Sequence, residues 1–436
     1  MVNTYVARMV GKMALNIFIN SKKKLKKNVT TILYITYDGI LDPLGESQII
    51  PYIIGIKNKN RAIHILSFEK NSKTKKECLA MKVMLKQHNI TWHNQNFTES
   101  FGLIGKIKDL IVMYIKASII SLRYSVNLIH ARNHNAAEVG LFTKKIFRTK
   151  LIFDLRGLWV DERVDKGSWN LDNYFDQIQY KYYKHKEREL LKYCDKLVVL
   201  SKAVVPEVLR LGAGQIDKIT VIPCCADYKH FSMVDTKIKY KSREGFSIPE
   251  QAIVIGYLGS VGKMYRADIY IKLINLAIKG GHNVYGLVIT KDNSDFIYKL
   301  NKYGTKETKD RVCIKSGSRP QIPKLLINMD ILTSFIEPTY AKISSSPTKV
   351  GEALALGIPV ISNAGIGDIA EITNQLNCGY VINNFSDFSI LNICENLQNI
   401  KKLGGIDLRN RSRKVLGLEQ GIKKYNQIYS DIIERI

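Results

Sequence analysis

Short runs of aliphatic and β-branched residues alternate with longer amphipathic stretches from Thr31 onward. The runs have the length and composition of strands, and in the first half of the chain they are "ILYIT" (32–36), "AIHILSF" (62–68), "ITWHN" (90–94), "LIH" (128–130), "LIFDL" (151–155), "KLVVL" (196–200) and "ITVI" (219–222). Helices are predicted between them, for example over 105–123, 135–147, 174–192 and 202–211. Continuous apolar strands separated by helices are typical of a parallel sheet covered on both faces.

A second alternating set follows a break in this pattern. The polar, charged stretch 223–250 is interpreted as a linker, and after it come "AIVIGYL" (252–258), "VYGLVIT" (284–290), "VCI" (312–314), "DILTSF" (330–335), "PVIS" (359–362) and "GYVI" (379–382). The pattern predicts an α/β protein of two facing Rossmann-like, doubly wound parallel-sheet domains, 30–222 and 251–416. A basic extension, 1–29, precedes them, and a helix over 417–436 follows, for which a crossing back to the first domain is one option. Ligands of such sheets bind beyond the carboxyl ends of the strands, so we expect one interdomain cleft.

Composition agrees with a globular protein of two domains and adds an unusual charge. The 436 residues exceed the size at which a single core stops growing, and 45% of them are hydrophobic. Lys and Arg number 66 against 39 acidic residues, which gives a net charge of +27. Two interpretations stay open: a polyanionic partner, such as nucleic acid, an anionic membrane or a phosphorylated ligand, or a surface of solvated lysines.

Cysteine and metal-ligand patterns exclude several classes of protein. The seven cysteines are odd in number and show no CxxC spacing, which argues against a disulfide framework and a zinc site and favours a reducing compartment. The sequence has no DxD pair and no HExxH, so no metal site is predicted. No run of about 18 apolar residues predicts a membrane span. Before Asp38 the chain has no acidic residue, and both a basic amphipathic helix on an anionic membrane and a poorly ordered extension remain open there.

Two glycine-containing loops follow predicted strands and suit a bound phosphate. In "DPLGESQ" (42–48), Gly45 permits close approach of the backbone, and the start of the next helix favours negative charge. In "YLGSVGKMYRAD" (257–268), Gly259 and Ser260 form a turn, and Lys263 and Arg266 add cations that would neutralise a diphosphate. The alternative for the second loop is an ordinary solvent-facing helix start.

Two further loops carry charged residues at predicted strand ends. In "SSSPTKVGEALALGIPVI" (344–361), the free amides of Thr348 and Lys349 begin a helix, and Glu352 lies one turn later, where its carboxylate could accept bonds from ribose hydroxyls. The loop "FDLRGLWVDERVD" (153–165) is interpreted either as an active-site loop or as a structural salt-bridge cluster. Candidate catalytic residues at this edge are Asp154, Arg156, Glu162, Arg132 and His134.

These segments together resemble the family 4 glycosyltransferases, bacterial enzymes of GT-B architecture, in particular those of capsular or O-antigen polysaccharide assembly. The resemblance runs from about Thr31 to the end of the chain and is carried by "TYDGILDPLGESQ" (36–48), "DLRGLWVDERVD" (154–165), "YLGSVGKMY" (257–265) and "SPTKVGEALALGIPV" (346–360). It implies a retaining, metal-independent transfer of a sugar from a nucleotide donor, UDP- or GDP-linked, to a glycan or a polyprenyl-diphosphate-linked acceptor. No cofactor other than this donor substrate is implied.

The same resemblance assigns donor-binding roles. It implies that the Gly45 loop closes over the donor diphosphate, and that the amides of Thr348 and Lys349 hold phosphate while Glu352 binds the ribose. Other positions matching the family's donor-binding motifs are Gly259, Ser260, Lys263, Arg266, and Ser318 and Arg319 in "SGSRP" (316–320). Ser260 replaces a usual Arg, for which Lys263 is expected to compensate. Ser344 stands where the family has a first glutamate that contacts the donor sugar.

On the acceptor side, the resemblance implies that Asp154, Arg156 and Glu162 orient the acceptor or assist proton transfer. A cytoplasmic enzyme, peripheral on the inner face of the membrane, is the expected setting, and no nucleic-acid partner is expected. Two rival functions remain: a nucleotide-sugar epimerase of the same fold, and a basic RNA-binding protein.

Overall fold

The computed structural model describes residues 29–100 and 102–434. The predicted basic extension, 1–29, therefore lies outside the described residues except for Val29.

The first half of the described chain forms one parallel sheet. Its strands are β1 (Thr30–Thr36), β2 (Arg61–Glu69), β3 (Ile90–Asn96), β4 (Leu128–Arg132), β5 (Lys150–Asp154), β6 (Lys196–Val199) and β7 (Ile219–Val221). Each of the seven predicted runs forms one of these strands, and their order in the sheet is β3-β2-β1-β4-β5-β6-β7. All pairings are parallel, and the register places Arg132 of β4 beside Asp154 of β5. Two charged residues therefore end neighbouring strands at the same edge.

The second half repeats this arrangement. Its strands are β8 (Ile253–Leu258), β9 (Val284–Ile289), β10 (Val312–Lys315), β11 (Ile331–Ser334), β12 (Val360–Asn363) and β13 (Gly379–Ile382). Their order is β10-β9-β8-β11-β12-β13, again with parallel pairing throughout. In both sheets the first strand lies centrally and the order reverses beside it, which is the Rossmann arrangement. The predicted fold of two doubly wound parallel-sheet domains is confirmed.

Helices connect the strands and cover both faces of each sheet. In chain order the α-helices of the described residues are α1 (Pro43–Gln48), α2 (Ile50–Ile56), α3 (Lys75–Gln87), α4 (Gly102–Tyr124), α5 (Asn133–Phe147), α6 (Trp159–Asp165), α7 (Tyr174–Tyr193), α8 (Val205–Val208), α9 (Thr236–Glu244), α10 (Ala267–Lys279), α11 (Asn293–Tyr303), α12 (Lys306–Arg311), α13 (Ile322–Leu326), α14 (Thr348–Ala355), α15 (Ile369–Gln375), α16 (Asp387–Lys402), α17 (Ile406–Leu416) and α18 (Leu418–Ile433). The helix predicted over 202–211 is shorter, because a π-helical turn, Leu209–Ala213, replaces its second half and contains Gly212 at φ 109°.

Burial on both sides of each strand explains why the strands read as continuous apolar runs. In β1, Leu33 and Ile35 pack into one hydrophobic cluster, while Ile32 and Tyr34 pack into another on the opposite face. Successive side chains of a strand point to opposite faces, so neither face of β1 needs polar residues.

The segment 223–250, predicted to be a linker, is not a plain connector. It contains α9, on which Arg243 is fully buried. Its guanidinium donates from Nε and Nη2 to the carbonyl of Asn328, at 3.0 and 2.7 Å, and pairs with Asp330 at 2.9 Å. The segment joins the two sheets, and its helix was not predicted because the residue that anchors the helix to the second sheet is charged and lies in a polar stretch.

The last described helix, α18, crosses back to the first half. Tyr425 and Tyr429 are buried in the hydrophobic cluster that covers one face of the first sheet. The two connections between the halves run side by side, because the amide of Ala226 donates to Leu416 at 2.8 Å and the amide of Leu418 donates to Ala226 at 2.9 Å. The chain therefore begins and ends its described course on the same half.

We expect Arg243→Ala to destabilise the protein by about 3–5 kcal/mol, because it leaves the buried carboxylate of Asp330 without one of its partners. Urea unfolding followed by circular dichroism measures this loss. The matched control is Lys241→Ala on the exposed side of the same helix, which should change stability by less than about 0.5 kcal/mol. Equal stability of the two variants would contradict the anchoring role.

Candidate functional site

A cavity of about 690 Å³ lies where the carboxyl ends of the two sheets face one another. The first half contributes Arg132 at the end of β4 and Arg156 and Leu200 after β5 and β6. The second half contributes Leu258 and Ile289, which end β8 and β9. This is the cleft that the strand pattern predicts, and its volume is in the range of small-ligand and cofactor sites.

Basic side chains outnumber acidic ones around the cavity. The basic residues are Arg132, Arg156, Lys291, Arg319, Lys342 and Lys349, and the acidic residues are Asp38, Asp292 and Glu352. An excess of positive charge in a cleft with low-dielectric walls attracts anionic ligands. The site is therefore suited to a phosphorylated molecule.

Lys349 and the start of α14 form the centre of the second-half wall. Thr348 and Lys349 line the cavity and begin the helix, so their backbone amides are among those without an intrahelical acceptor. The ammonium group of Lys349 lies 5.4 Å from the ring centres of both Tyr257 and Tyr265. Burial lowers the pKa of Lys349 to about 8. A helix terminus with an added cation is a strong anion site.

Gly259 and Ser260 lie beside this helix in the loop after β8, and both line the cavity. Gly259 has φ 118°, a conformation open to glycine and strained for other residues. A hydrogen bond fixes the position of this loop, because the amide of Val261 donates to the carboxylate of Asp292 at 2.8 Å. Backbone can therefore approach a ligand at this point.

Glu352 and Arg319 form an ion pair one turn along α14. The pair joins Glu352 Oε1 to Arg319 Nη1, and both residues line the cavity. Burial raises the pKa of Glu352, and the neighbouring Arg319 opposes this rise. The sequence placed both residues at the donor but did not predict that they contact each other. Ser318 does not line the cavity, because its amide and hydroxyl bond the side chain of Gln321 at 2.8 Å and close the following turn.

The first-half wall rests on a buried carboxylate, Asp154. Its oxygens lie 3.4 Å from Arg156 and 3.6 Å from Arg132, and the hydroxyl of Tyr425 donates to it at 3.2 Å. Burial alone would raise the pKa of Asp154, but Arg156, His130 and Arg132 outweigh it and hold that pKa well below its ordinary value. Asp154 itself does not line the cavity. It positions the two arginines that do.

The loop with Gly45 requires a correction. Gly45 is buried within α1 and does not line the cavity, because a Cβ there would lie 2.4 Å from the carbonyl oxygen of Gly39. The glycine is thus needed for packing of helix against turn. Other residues of the same helix, Pro43, Leu44 and Ser47, do line the cavity.

Lys263 and Arg266, predicted beside a diphosphate, are also absent from the cavity wall. Arg266 is neutralised locally, because it pairs with Asp268 at 2.7 Å and with Glu337 at 2.8 Å. Lys263 extends towards Gly167 of the first half. Among the cations that do line the cavity are Lys349 and Lys342, of which Lys342 is paired with Glu162 at 2.7 Å.

Ser344 and Glu162 lie at the junction between the halves instead of in the cavity. The hydroxyl of Ser344 is buried, accepts from the amide of Leu158 at 2.9 Å and donates to the carbonyl of Ala341 at 2.6 Å. Glu162 accepts from Lys342 at 2.7 Å. Both residues therefore hold the turn Tyr340–Ser344 against α6, and the hydroxyl proton of Ser344 is already donated within the protein.

His134 is a structural residue in this fold. Its Nε2 lies 2.9 Å from Glu187, a fully buried carboxylate on α7, and its ring stands edge-on to Phe153. It does not line the cavity. The expectation that His134 belongs to the cleft is thus wrong, because its preceding neighbour, Asn133, takes that position.

Several cavity residues escaped sequence reasoning. Asn133 has φ 69° and donates to Asp38 at 2.7 Å, and Arg132 lies 3.8 Å from the same carboxylate. Asp38, directly after β1, and Asn133, directly after β4, share a sheet edge, and that position was the available signal. Lys342 gave no signal, since nothing local marks it as a cleft residue.

Within the described ranges, no group of three or more His, Cys, Asp or Glu side chains is placed to hold a metal ion. Among the described helices, none combines the length and apolar character that crossing a membrane requires.

Two Rossmann-like sheets facing across a ligand cavity define the class: this chain has the GT-B fold. No known family model and no curated protein matches its sequence. Solved structures do match. HepE from Anabaena, in complex with UDP and glucose, has a TM-score of 0.64 and 15% identity over 92% of this chain and 100% of its own.

Two solved glycosyltransferases match at the same level. One is from Rickettsia africae, with a TM-score of 0.64 and 17% identity over 94% of this chain and 100% of its own. The other is WaaG, described as involved in lipopolysaccharide biosynthesis, with a TM-score of 0.63 and 14% identity over 91% of this chain and 99% of its own. The structures similar to this chain are thus GT-B glycosyltransferases, as the sequence resemblance implied, and at these identities the likeness establishes the fold.

We expect Asp154→Asn to destabilise the protein by about 3–5 kcal/mol at neutral pH, because it leaves two buried arginines without their carboxylate. The folded-state pKa is lowered, so the carboxylate stabilises the fold above its unfolded-state pKa of about 3.9, and this contribution is lost as the pH falls through the lower folded-state pKa. Thermal melts from pH 8 to pH 3 should show a constant gap between variant and wild type that narrows only below about pH 4. The exposed control Asp172→Asn should show no gap, and a gap that widens on acidification would contradict the network.

Proposed function

We propose that this protein is a retaining, metal-independent glycosyltransferase that moves a sugar from a nucleoside-diphosphate donor to a glycan or lipid-linked acceptor. The observation that carries the proposal is the cavity in which the amide end of α14 and Lys349 face Arg132 and Arg156 across two strand edges. The fold alone would fit several activities; the anion site at this position favours a nucleotide-diphosphate substrate.

The donor is proposed to lie along the second-half wall. The amides of Thr348 and Lys349 and the loop at Gly259 and Ser260 would hold the diphosphate. Arg319 donates to Oε1 of Glu352, and the other carboxylate oxygen would accept a hydrogen bond from a ribose hydroxyl. The solved complex of HepE with UDP-glucose supports a donor of this type, either UDP- or GDP-linked.

In the reaction, the bond between the sugar and the diphosphate breaks and negative charge develops on the departing phosphate oxygen. The Lys349 ammonium and the helix amides would stabilise this charge. The acceptor hydroxyl attacks the sugar from the face that the diphosphate leaves, so the anomeric configuration is retained. Its proton passes to the departing phosphate oxygen, and no base from the enzyme is needed. Arg132, Arg156 and Asn133 would orient the acceptor on the opposite wall.

A role in surface polysaccharide biosynthesis, at the inner face of the cytoplasmic membrane, is proposed as the setting. The involvement of WaaG, a protein of similar structure, in lipopolysaccharide biosynthesis supports this setting. In addition, α4 exposes Ile104, Ile115 and Ile119 next to the exposed lysines 108 and 116, a combination suited to an anionic lipid surface.

Screening nucleoside diphosphates and their sugars for thermal stabilisation, followed by product analysis with glycan acceptors, tests the function. We expect Lys349→Gln to weaken binding of the best diphosphate by roughly 10- to 100-fold, because a charge-assisted bond is lost. Arg266→Ala is the matched control and should bind within about twofold of wild type, since that cation is already neutralised.

Product analysis decides the reaction. An α-linked donor should give an α-linked product, detected by NMR of the anomeric proton. An isomerised nucleotide sugar formed without acceptor would instead identify an epimerase, and tight RNA binding without any effect of nucleotides would contradict both enzyme functions.

Affinity for the diphosphate should fall as the pH rises through about 8. Burial places the pKa of Lys349 at about 8, and only the protonated form attracts phosphate. Binding therefore takes up protons, roughly half a proton per site at pH 8. Calorimetry in two buffers of different ionisation enthalpy measures this uptake. Lys349→Gln should abolish it, and an unchanged uptake in that variant would assign the titration elsewhere.

A further inference from the structure

A second cavity, of about 490 Å³, lies outside the cleft. It is lined by α7, by the π-helical turn after α8 and by Tyr340, which comes from the second half. None of the residues lining it lines the cleft cavity. Its wall is strongly basic, with Lys181, Lys184, His185, Arg188 and Arg210 facing a single acidic residue, Asp161.

Two of these cations are already neutralised. Lys184 Nζ lies 2.8 Å from Asp161 and also pairs with Glu187. Arg210 donates from Nε and Nη2 to Glu207, at 2.7 Å each. The carboxylates near the cavity are therefore taken up by these two residues and by tyrosines: the hydroxyl of Tyr180 donates to Asp161, and that of Tyr340 to Glu207.

Lys181 and Arg188 are left without a counter-charge. Both are exposed, and neither has a carboxylate within 4.0 Å among the residues that the structure describes. They lie on one face of α7, seven residues and therefore two turns apart, which is about 10 Å along the helix axis. An anion bound in the cavity would supply the missing counter-charge and accept hydrogen bonds from both side chains.

The surface next to the cavity is apolar. The outer face of α7 exposes Tyr174, Phe175, Ile178 and Tyr182, with exposed fractions of 70, 73, 48 and 40%. The basic residues follow on the same outward side of the helix, towards its carboxyl end. A ligand with a phosphate head and an apolar chain would match both parts of this surface.

We propose that this cavity is a second anion site, separate from the cleft, which binds a phosphate or diphosphate group. The group reaches the site either on a lipid head or as a soluble phosphate. The site is defined by its own charges and does not rest on the proposed function.

The test uses a double variant, Lys181→Gln with Arg188→Gln, and a control matched in charge, Lys76→Gln with Lys86→Gln on the exposed side of α3. Inorganic pyrophosphate is titrated calorimetrically into each in a Lys349→Gln background, which weakens binding of diphosphate at the cleft, and vesicles of phosphatidylcholine with and without phosphatidic acid are used in sedimentation. The background protein and the control should bind at least one probe, and the double variant should bind it roughly tenfold more weakly or worse. Melting temperatures confirm that each variant is folded, and the single variant Arg188→Gln serves if the double one is not.

The two probes separate the sources: a difference with phosphatidic acid vesicles alone identifies a lipid head, and a difference with pyrophosphate identifies a soluble phosphate. Lys349→Gln distinguishes the two cavities, because it should leave binding at the second one intact. Equal binding by wild type, double variant and control would overturn the proposal, as would loss of binding in Lys349→Gln alone or no binding of either probe by wild type.

Discussion

The cleft depends on the ion pairs that the buried carboxylate of Asp154 makes with two arginines. Removing a carboxylate from water is costly, and it is tolerated here because Arg132, Arg156 and Tyr425 surround it. The same contacts fix two guanidinium groups at the cavity wall, where they would otherwise sample many rotamers. A carboxylate whose pKa is held well below its ordinary value thus lies behind the site, and its effect is to fix the positions of two positive charges at the wall before any ligand arrives.

The two halves contribute differently to this cavity. The second half offers backbone amides, a glycine turn and a lysine, Lys349, whose pKa is lowered by burial. The first half offers side chains that are already held by one another, such as Asp38 with Asn133 and Arg132. At the junction, Glu162, Lys342 and Ser344 connect the halves directly. A diphosphate bound between these walls would exchange its mobile water molecules for fixed hydrogen-bond donors on both sides.

The strands could be predicted from the sequence because a strand buried on both faces is a continuous run of apolar residues, as in β1 and β8. Prediction from the sequence failed where a charged residue pairs with a partner distant in sequence. The helix anchored by the ion pair of Arg243 with Asp330 was not predicted, and Arg266, expected to bind phosphate, pairs with Glu337 instead. Gly45 was expected to let the backbone approach a ligand, but its close neighbour in the structure is the backbone of Gly39. Cavity residues such as Lys349 and Glu352 were found because a helix start marks them; Lys342 was not, because only the meeting of the halves places it there.

The crossing of α18 onto the first sheet has a consequence for biosynthesis. Its Tyr425 completes the shell of Asp154, and its Tyr429 bonds His130 at 2.7 Å. A nascent chain that has released only its first half from the ribosome exposes the apolar face that α18 covers and leaves that carboxylate one donor short. Maturation of the amino-terminal sheet therefore waits on translation of the last described helix, and the second half has time to fold before the first is finished.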